Sequence, residues 1–173
     1  MNRRERFYAV LEGRAPDQTP TGFWMHFPPD AFFGQKAVDT HLDYFEKTQT
    51  DICKVMTEHT YPCRGDINTA SDWKLVRSYG PDAEFIRKQA EIIRAVAGRE
   101  PGGAITATIH GVIASASHAL LGIPKYDSVG RYAQLYPLRT NPQAVSDAYR
   151  RIADTLCVLA REALAAGAEG IYY

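Results

Sequence analysis

Apolar positions along the chain switch between two spacings. One is the three-to-four step of a buried helix face, and the other is the short continuous run of a buried strand. Asn2 followed by Glu5 predicts a capping box that opens a helix with Phe7, Val10 and Leu11 as its apolar face and Gly13 as its stop. Arg14 to Pro20 reads as a loop. Thr21 to Phe27 (TGFWMHF) is short and aromatic, which predicts a first strand broken by Pro28-Pro29. Val38, Leu42 and Phe45 mark a helix of about four turns. Asp51 to Thr57 (DICKVMT) predicts the second strand, and Glu58 to Asp72 an irregular stretch. Trp73 to Val76 reads as a short strand.

Asp82 opens a helix to about Ala97, with Phe85, Ile86, Ala90, Ile93 and Val96 as its buried side. Ala104 to Ile109 (AITATI) is the third main strand, and Val112 to Leu121 the helix that Gly122 stops. A further helical stretch covers Val129 to Leu138. A long helix follows Asn141-Pro142, burying Val145, Tyr149, Ile152, Leu156, Leu159 and Ala163, and Gly167 closes it. Ala168 to Tyr173 then begins a fourth strand. Four strands alternating with helices imply a mainly parallel sheet with helices outside. A doubly wound sheet and a (β/α)8 barrel both fit. The last strand needs neighbours, so the chain reads as the N-terminal half of a larger α/β protein, and the isolated chain is expected to self-associate through open strand edges.

Composition narrows the function classes. Lys+Arg and Asp+Glu are both 20, so no basic stripe of the kind nucleic acid requires is expected. No apolar run approaches the ~20 residues of a membrane span, and the N-terminus lacks an apolar signal core. Cys53, Cys63 and Cys157 are scattered and odd in number, which points to a reducing cytoplasm instead of a disulfide framework. Cys53 and Cys157 read as structural.

The order Arg3-x-x-Arg6-Phe7-x-x-Val10-Leu11-x-Gly13-x-x-Pro16-Asp17-x-x-Pro20 resembles the start of the uroporphyrinogen decarboxylase superfamily, which also holds cobalamin- and coenzyme M-linked methyltransferases. Asp51 to Glu58 is similar to that family's second strand, which starts with Asp and ends on a functional carboxylate. Gly111 to Gly122 (GVIASASHALLG) is similar to the segment after its third strand, and Ala166 to Ile171 to the entry into its fourth. The resemblance implies a TIM-type (β/α)8 barrel, with residues 1–173 supplying about the first four β/α units of a single barrel domain. It also implies an enzyme acting on a small molecule.

Departures from the family pattern shift the expected substrate. Family decarboxylases follow the methionine of the first strand with Arg-Gln-Ala-Gly-Arg, whose arginines bind substrate carboxylates. Here Met25-His26-Phe27-Pro28-Pro29-Asp30 stands instead. Arginine supplies a planar, permanently charged fork that histidine does not. The family aspartate is Glu58, and the family tyrosine corresponds to His118. The resemblance therefore implies corrinoid-dependent methyl transfer to a thiol or related acceptor. Porphyrinogen-type decarboxylation and a non-catalytic half-barrel that assembles with a partner stand as alternatives.

Glu58, His26 and His118 are the expected catalytic residues, converging on one cavity at the strand ends. Glu58 would act as general acid or base, or accept hydrogen bonds from substrate. His26 would shuttle a proton, bind a carboxylate or support a metal. His59, Tyr61, His110 and Phe27 are the expected substrate-binding residues. On one regular helix, His110 and His118 would stand ~80° apart and about 12 Å along the axis, so both face one pocket only if a loop intervenes. No metal site is expected within these residues. The methyltransferases' His-x-Cys zinc motif is absent here, and the resemblance leaves zinc and a corrinoid, with a corrinoid protein as partner, to the complete protein.

Overall fold

The computed structural model describes residues 1–120 and 132–173. The chain divides into two compact units: Met1–Glu58, Glu84–Ile109 and Ala160–Tyr173 form the first, and His59–Ala83 with His110–Leu159 the second.

The first unit is built on a parallel sheet of β1 (Ile52–Val55), β2 (Ala104–Thr108) and β3 (Gly170–Tyr172), in that order. The register pairs Lys54 with Thr106, Thr106 with Gly170 and Thr108 with Tyr172. Helices α1 (Arg3–Leu11), α2 (Gly34–Thr48) and α3 (Glu84–Ala97) belong to the same unit. Alternation sends Cys53, Val55, Ile105 and Ala107 to one sheet face, where they join Phe45, Ile92, Ile93, Val96 and Ala163 in the core. Lys54, Thr106 and Tyr172 alternate onto the opposite face.

Two expectations are corrected here. The (β/α)8 architecture is not what the described residues form: they hold three short parallel strands and do not show four β/α barrel units. The first expected strand, Thr21–Phe27, has no regular secondary structure and lies outside the sheet. Only its first residue, Thr21, hydrogen-bonds through its backbone to the start of β1 among the described residues. The Thr21 carbonyl accepts both Asp51 N–H at 2.9 Å and Ile52 N–H at 3.1 Å, a convergence that ends the ladder at its first rung. Pro20 and Pro28-Pro29 bound the segment and offer no amide hydrogens. Phe23, Trp24 and Met25 are left exposed.

Helix α1 begins with the expected capping box between Asn2 and Glu5. Its buried side is Arg6 and Ala9, whereas Val10 and Leu11 face solvent. An ionic clasp replaces the expected apolar face. Arg6 Nη1 donates to Asp51, and Nε donates to Asp17 at 2.7 Å. Asp51 also accepts the Thr21 N–H at 2.7 Å. Burial works to raise the Asp51 pKa, but the Thr21 amide and Arg6 outweigh it and hold the carboxyl below its usual range. Glu169 fastens the other end, accepting from Tyr8 Oη at 2.7 Å and from Ile105 N–H at 3.0 Å.

The second unit contains α4 (Val112–His118), α5 (Leu135–Thr140) and part of α6 (Pro142–Ala165), which contributes to the first unit from Ala160 onward. Trp73, expected in a strand, lies in a 3-10 helix over Ala70–Leu75, where Thr69 and Asp72 form a capping box. The box favours the helical turn locally: Asp72 accepts the Thr69 N–H at 2.7 Å, which fixes the start of the 3-10 helix. Trp73 packs edge-on against Tyr149, and Arg151 ties both carbonyls of Trp73 and Val76 to α6. Cys157, expected to be structural, is exposed on α6. The expected Val129–Leu138 helix lies partly outside the described residues. Of its described part, 135–138 forms the start of α5.

His41 locks α2 onto β1. Its Nδ1–H donates to Ala37 O at 2.7 Å, and its Nε2 accepts the Met56 N–H at 2.9 Å, which fixes the neutral tautomer. Desolvation dominates and lowers the His41 pKa, although the Ala37 carbonyl and Glu58 oppose it. With the folded value below the unfolded one, acid protonates the unfolded chain first. Stability is therefore fullest above the ordinary histidine value of ~6.5 and falls as pH drops through it toward the folded pKa. Urea unfolding at pH 7.5 and pH 5 should show a loss in the wild type that is smaller in His41→Gln. Equal losses in the two proteins would assign the effect to other groups.

Candidate functional site

The end of β1 places Glu58 where the strand gives way to an irregular segment. Its side chain is only 3% exposed, whereas that of His26 is 44% exposed. Glu58 Oε1 and His26 Nδ1 are 2.9 Å apart. With Nδ1–H directed at the carboxylate, Nε2 carries the lone pair that exchanges protons. A buried carboxylate orienting a half-exposed imidazole is a general-base arrangement: the carboxylate sets the tautomer and stabilises the imidazolium as it forms. The irregular segment after Thr21 delivers His26, so the pairing does not require that segment to be a strand.

Phe27 lies in the core of the first unit. Its ring meets His41 at 4.7 Å and Tyr44 at 5.9 Å, both edge-on, and it packs with Ala31 and Met56. Its position beside His41 contributes to the seating of α2.

The remaining expected site residues belong to the second unit. His59 is buried. Tyr61 is 4% exposed, and its hydroxyl donates to the Arg77 carbonyl and lies 2.9 Å from Thr155 Oγ1. Burial pushes its pKa up to about 12. His110 and His118 come together, with ring centroids 5.0 Å apart at 89°. The reason is local: α4 begins only at Val112, after an extended Gly111, so His110 sits outside the helix and folds back over its last residue. The structure thus forms two histidine pairings, His26 with Glu58 in the first unit and His110 with His118 in the second.

No group of three or more His, Cys, Asp or Glu side chains suited to a metal ion forms among the described residues. No described helix is long and apolar enough to cross a membrane. A groove of about 440 Å³ lies along α2 and α3, lined by Phe33, Val38, Lys88 and Ile92 among others, and no expected site residue lines it.

Sequence reasoning missed Lys54. It sits mid-strand in β1, 5% exposed, with its Nζ 3.7 Å from the Trp24 ring centroid and 3.5 Å from that of Tyr172. The available signal was a lysine inside an apolar strand, Ile52-Cys53-Lys54-Val55-Met56. No protein-family model matches the chain, and no curated protein matches it.

Proposed function

We propose that this protein belongs to an enzyme of the uroporphyrinogen decarboxylase and cobalamin methyltransferase superfamily that transfers a methyl group from a corrinoid donor to a small thiol. The observation that carries the reading is the Glu58–His26 pair at the end of β1. Methylating a thiol releases one proton, and this pair is built to take it. His26 Nε2 removes the S–H proton while Glu58 stabilises the resulting imidazolium. A corrinoid donor, when bound, would supply the methyl carbon to the thiolate sulfur and would keep the electron pair of the bond it loses. Every step assigned to this chain is proton handling.

The missing arginines after Met25 support methyl transfer over decarboxylation, since a tetrapyrrole polycarboxylate needs several fixed cations. Three free thiols support a cytoplasmic setting. The test measures methylation of 2-mercaptoethanol from methylcobalamin beside decarboxylation of uroporphyrinogen. Thiol methylation without decarboxylation is the expected result. Decarboxylation without methylation would overturn the reading.

A further inference from the structure

We propose that Lys54 is a nucleophilic amine that captures a small carbonyl compound as an imine, on the sheet face it shares with Thr106 and beside the Trp24 and Tyr172 rings. The methyl-transfer reading gives Lys54 no part, so the two stand or fall separately.

The first support is where the amine sits. Lys54 is buried within β1, an edge strand of the sheet, on the face opposite the helix-packed core. Most buried lysines are held by a carboxylate. Lys54 has no such partner: it makes no ion pair or hydrogen bond among the described residues, and its contacts are the two aromatic rings at 3.7 Å and 3.5 Å. The other described lysines differ. Lys36 pairs with Asp30, Lys47 with Asp43 and Lys88 with Glu84, all near the surface, and Lys74 is exposed.

Two effects act on the Lys54 charge. The aromatic faces favour the ammonium form. Burial favours the neutral amine and brings the pKa down to about 8. At neutral pH about one Lys54 amine in ten is then unprotonated, against about one in a few thousand for an ordinary lysine. Desolvation of this kind is how a lysine becomes a carbonyl nucleophile.

The second support is Thr106. It pairs with Lys54 in the β1–β2 register and shares its sheet face. Its Oγ1 is buried without a hydrogen-bond partner among the described residues. A hydroxyl there suits the oxygen of an incoming carbonyl. Trp24 and Tyr172 pack against each other beside the amine, with ring centroids 5.1 Å apart.

The chemistry balances without an oxidant. The Nζ lone pair bonds the carbonyl carbon, and the carbonyl π pair moves to oxygen. Proton transfer from nitrogen to oxygen gives a carbinolamine. Loss of water then leaves C=N, so amine and carbonyl become imine and water.

Reductive trapping tests this on the wild-type protein. Glyoxylate with sodium cyanoborohydride at pH 7 converts any imine to a stable secondary amine, and peptide mapping by mass spectrometry reads the rate at each lysine. Lys54 should be labelled at least about tenfold faster than Lys36, Lys47, Lys74 or Lys88, because its larger free-amine fraction outweighs its lower exposure. Lys54→Met should remove the fast phase and leave the slow labelling unchanged. Labelling of Lys54 no faster than of the exposed lysines overturns the proposal and makes Lys54 a structural cation between two rings. Because the wild type alone decides, failure of Lys54→Met to fold leaves the test intact.

Discussion

Glu58→Gln is expected to lower the rate of thiol methylation on the order of 10²-fold while leaving the melting temperature almost unchanged. Glutamine keeps the shape of the side chain and an oxygen that accepts the Nδ1–H of His26, now at 2.9 Å from Glu58 Oε1. The imidazole tautomer and the fold are therefore retained. What disappears is the negative charge that faces the imidazolium when Nε2 takes a proton. In a site where Glu58 is only 3% exposed, that charge is poorly replaced by water. General-base catalysis contributes about 10²- to 10⁴-fold, and losing the stabilising charge while keeping the base removes the lower part of that range. His26→Gln removes the base itself and should cost at least as much. Since the two residues act as one unit, the double variant should be no slower than the worse single variant by more than about threefold. Glu58→Gln activity within about threefold of wild type would remove Glu58 from the mechanism.

The parts of the fold that were legible are those where burial follows a simple period. Helix α3 buries Ile86, Ala90, Ile93 and Val96, and α6 buries Val145, Ile152, Leu156, Leu159 and Ala163, as the 3.6-residue pattern indicates. The strands within DICKVMT and AITATI formed for the same reason, as continuous apolar runs. Reading failed where polar contacts decided the packing. Helix α1 turns Arg6 inward because Asp51 and Asp17 receive it, and no hydrophobic pattern encodes that choice. The aromatic TGFWMHF looked like a strand because its side chains suit one. Whether it pairs depends on backbone donors and acceptors, and those diverge after Thr21. The same contrast holds at the site. The strand-end position of Glu58 was readable, and so was the candidacy of His26, because each follows an apolar run. The pairing of His110 with His118 needed the late start of α4, a boundary of two residues that sequence patterns do not resolve. Lys54 was hidden by its own neighbours, since an apolar run draws attention to its majority.

Some residues of the family-like motif acquire a structural reason that does not depend on the family. Arg6, Asp17 and Asp51, spread over 45 positions between Arg6 and Asp51, close one clasp that joins the first helix, the following loop and the start of β1. Arg3 extends it, donating to Pro101 O at 2.6 Å and to Thr50 O at 3.3 Å. The clasp fixes the carbonyls at the entry to β1. This leads to the largest stability effect expected in the molecule.

Gly103→Val should destabilise the protein by about 3 kcal/mol or more, at the upper end of what overpacking a buried position costs. Gly103 immediately precedes β2. A Cβ there would stand 2.7 Å from Asp51 O, 2.7 Å from Cys53 Sγ and 2.9 Å from Thr50 O. The sulfur can move, but the carbonyls cannot. Thr50 O accepts from Arg3, and Asp51 O accepts the Ala104 N–H at 2.8 Å, the bond that starts the β1–β2 ladder. Asp51 N–H is meanwhile held by Thr21 O at 2.9 Å. Relief would therefore require β2 to withdraw from β1, which would separate Thr106 from Lys54 as well. Adding Cys53→Ala removes one of the three contacts and leaves the two rigid ones, so the double variant should recover at most about 1 kcal/mol relative to Gly103→Val. Gly80→Ala is the control: nothing lies within 4 Å of a Cβ built there, and the change should stay within about 0.5 kcal/mol of wild type. Urea unfolding of the four proteins decides the matter. A Gly103→Val midpoint equal to that of Gly80→Ala would mean that the β1–β2 junction yields easily and that the clasp does not hold it.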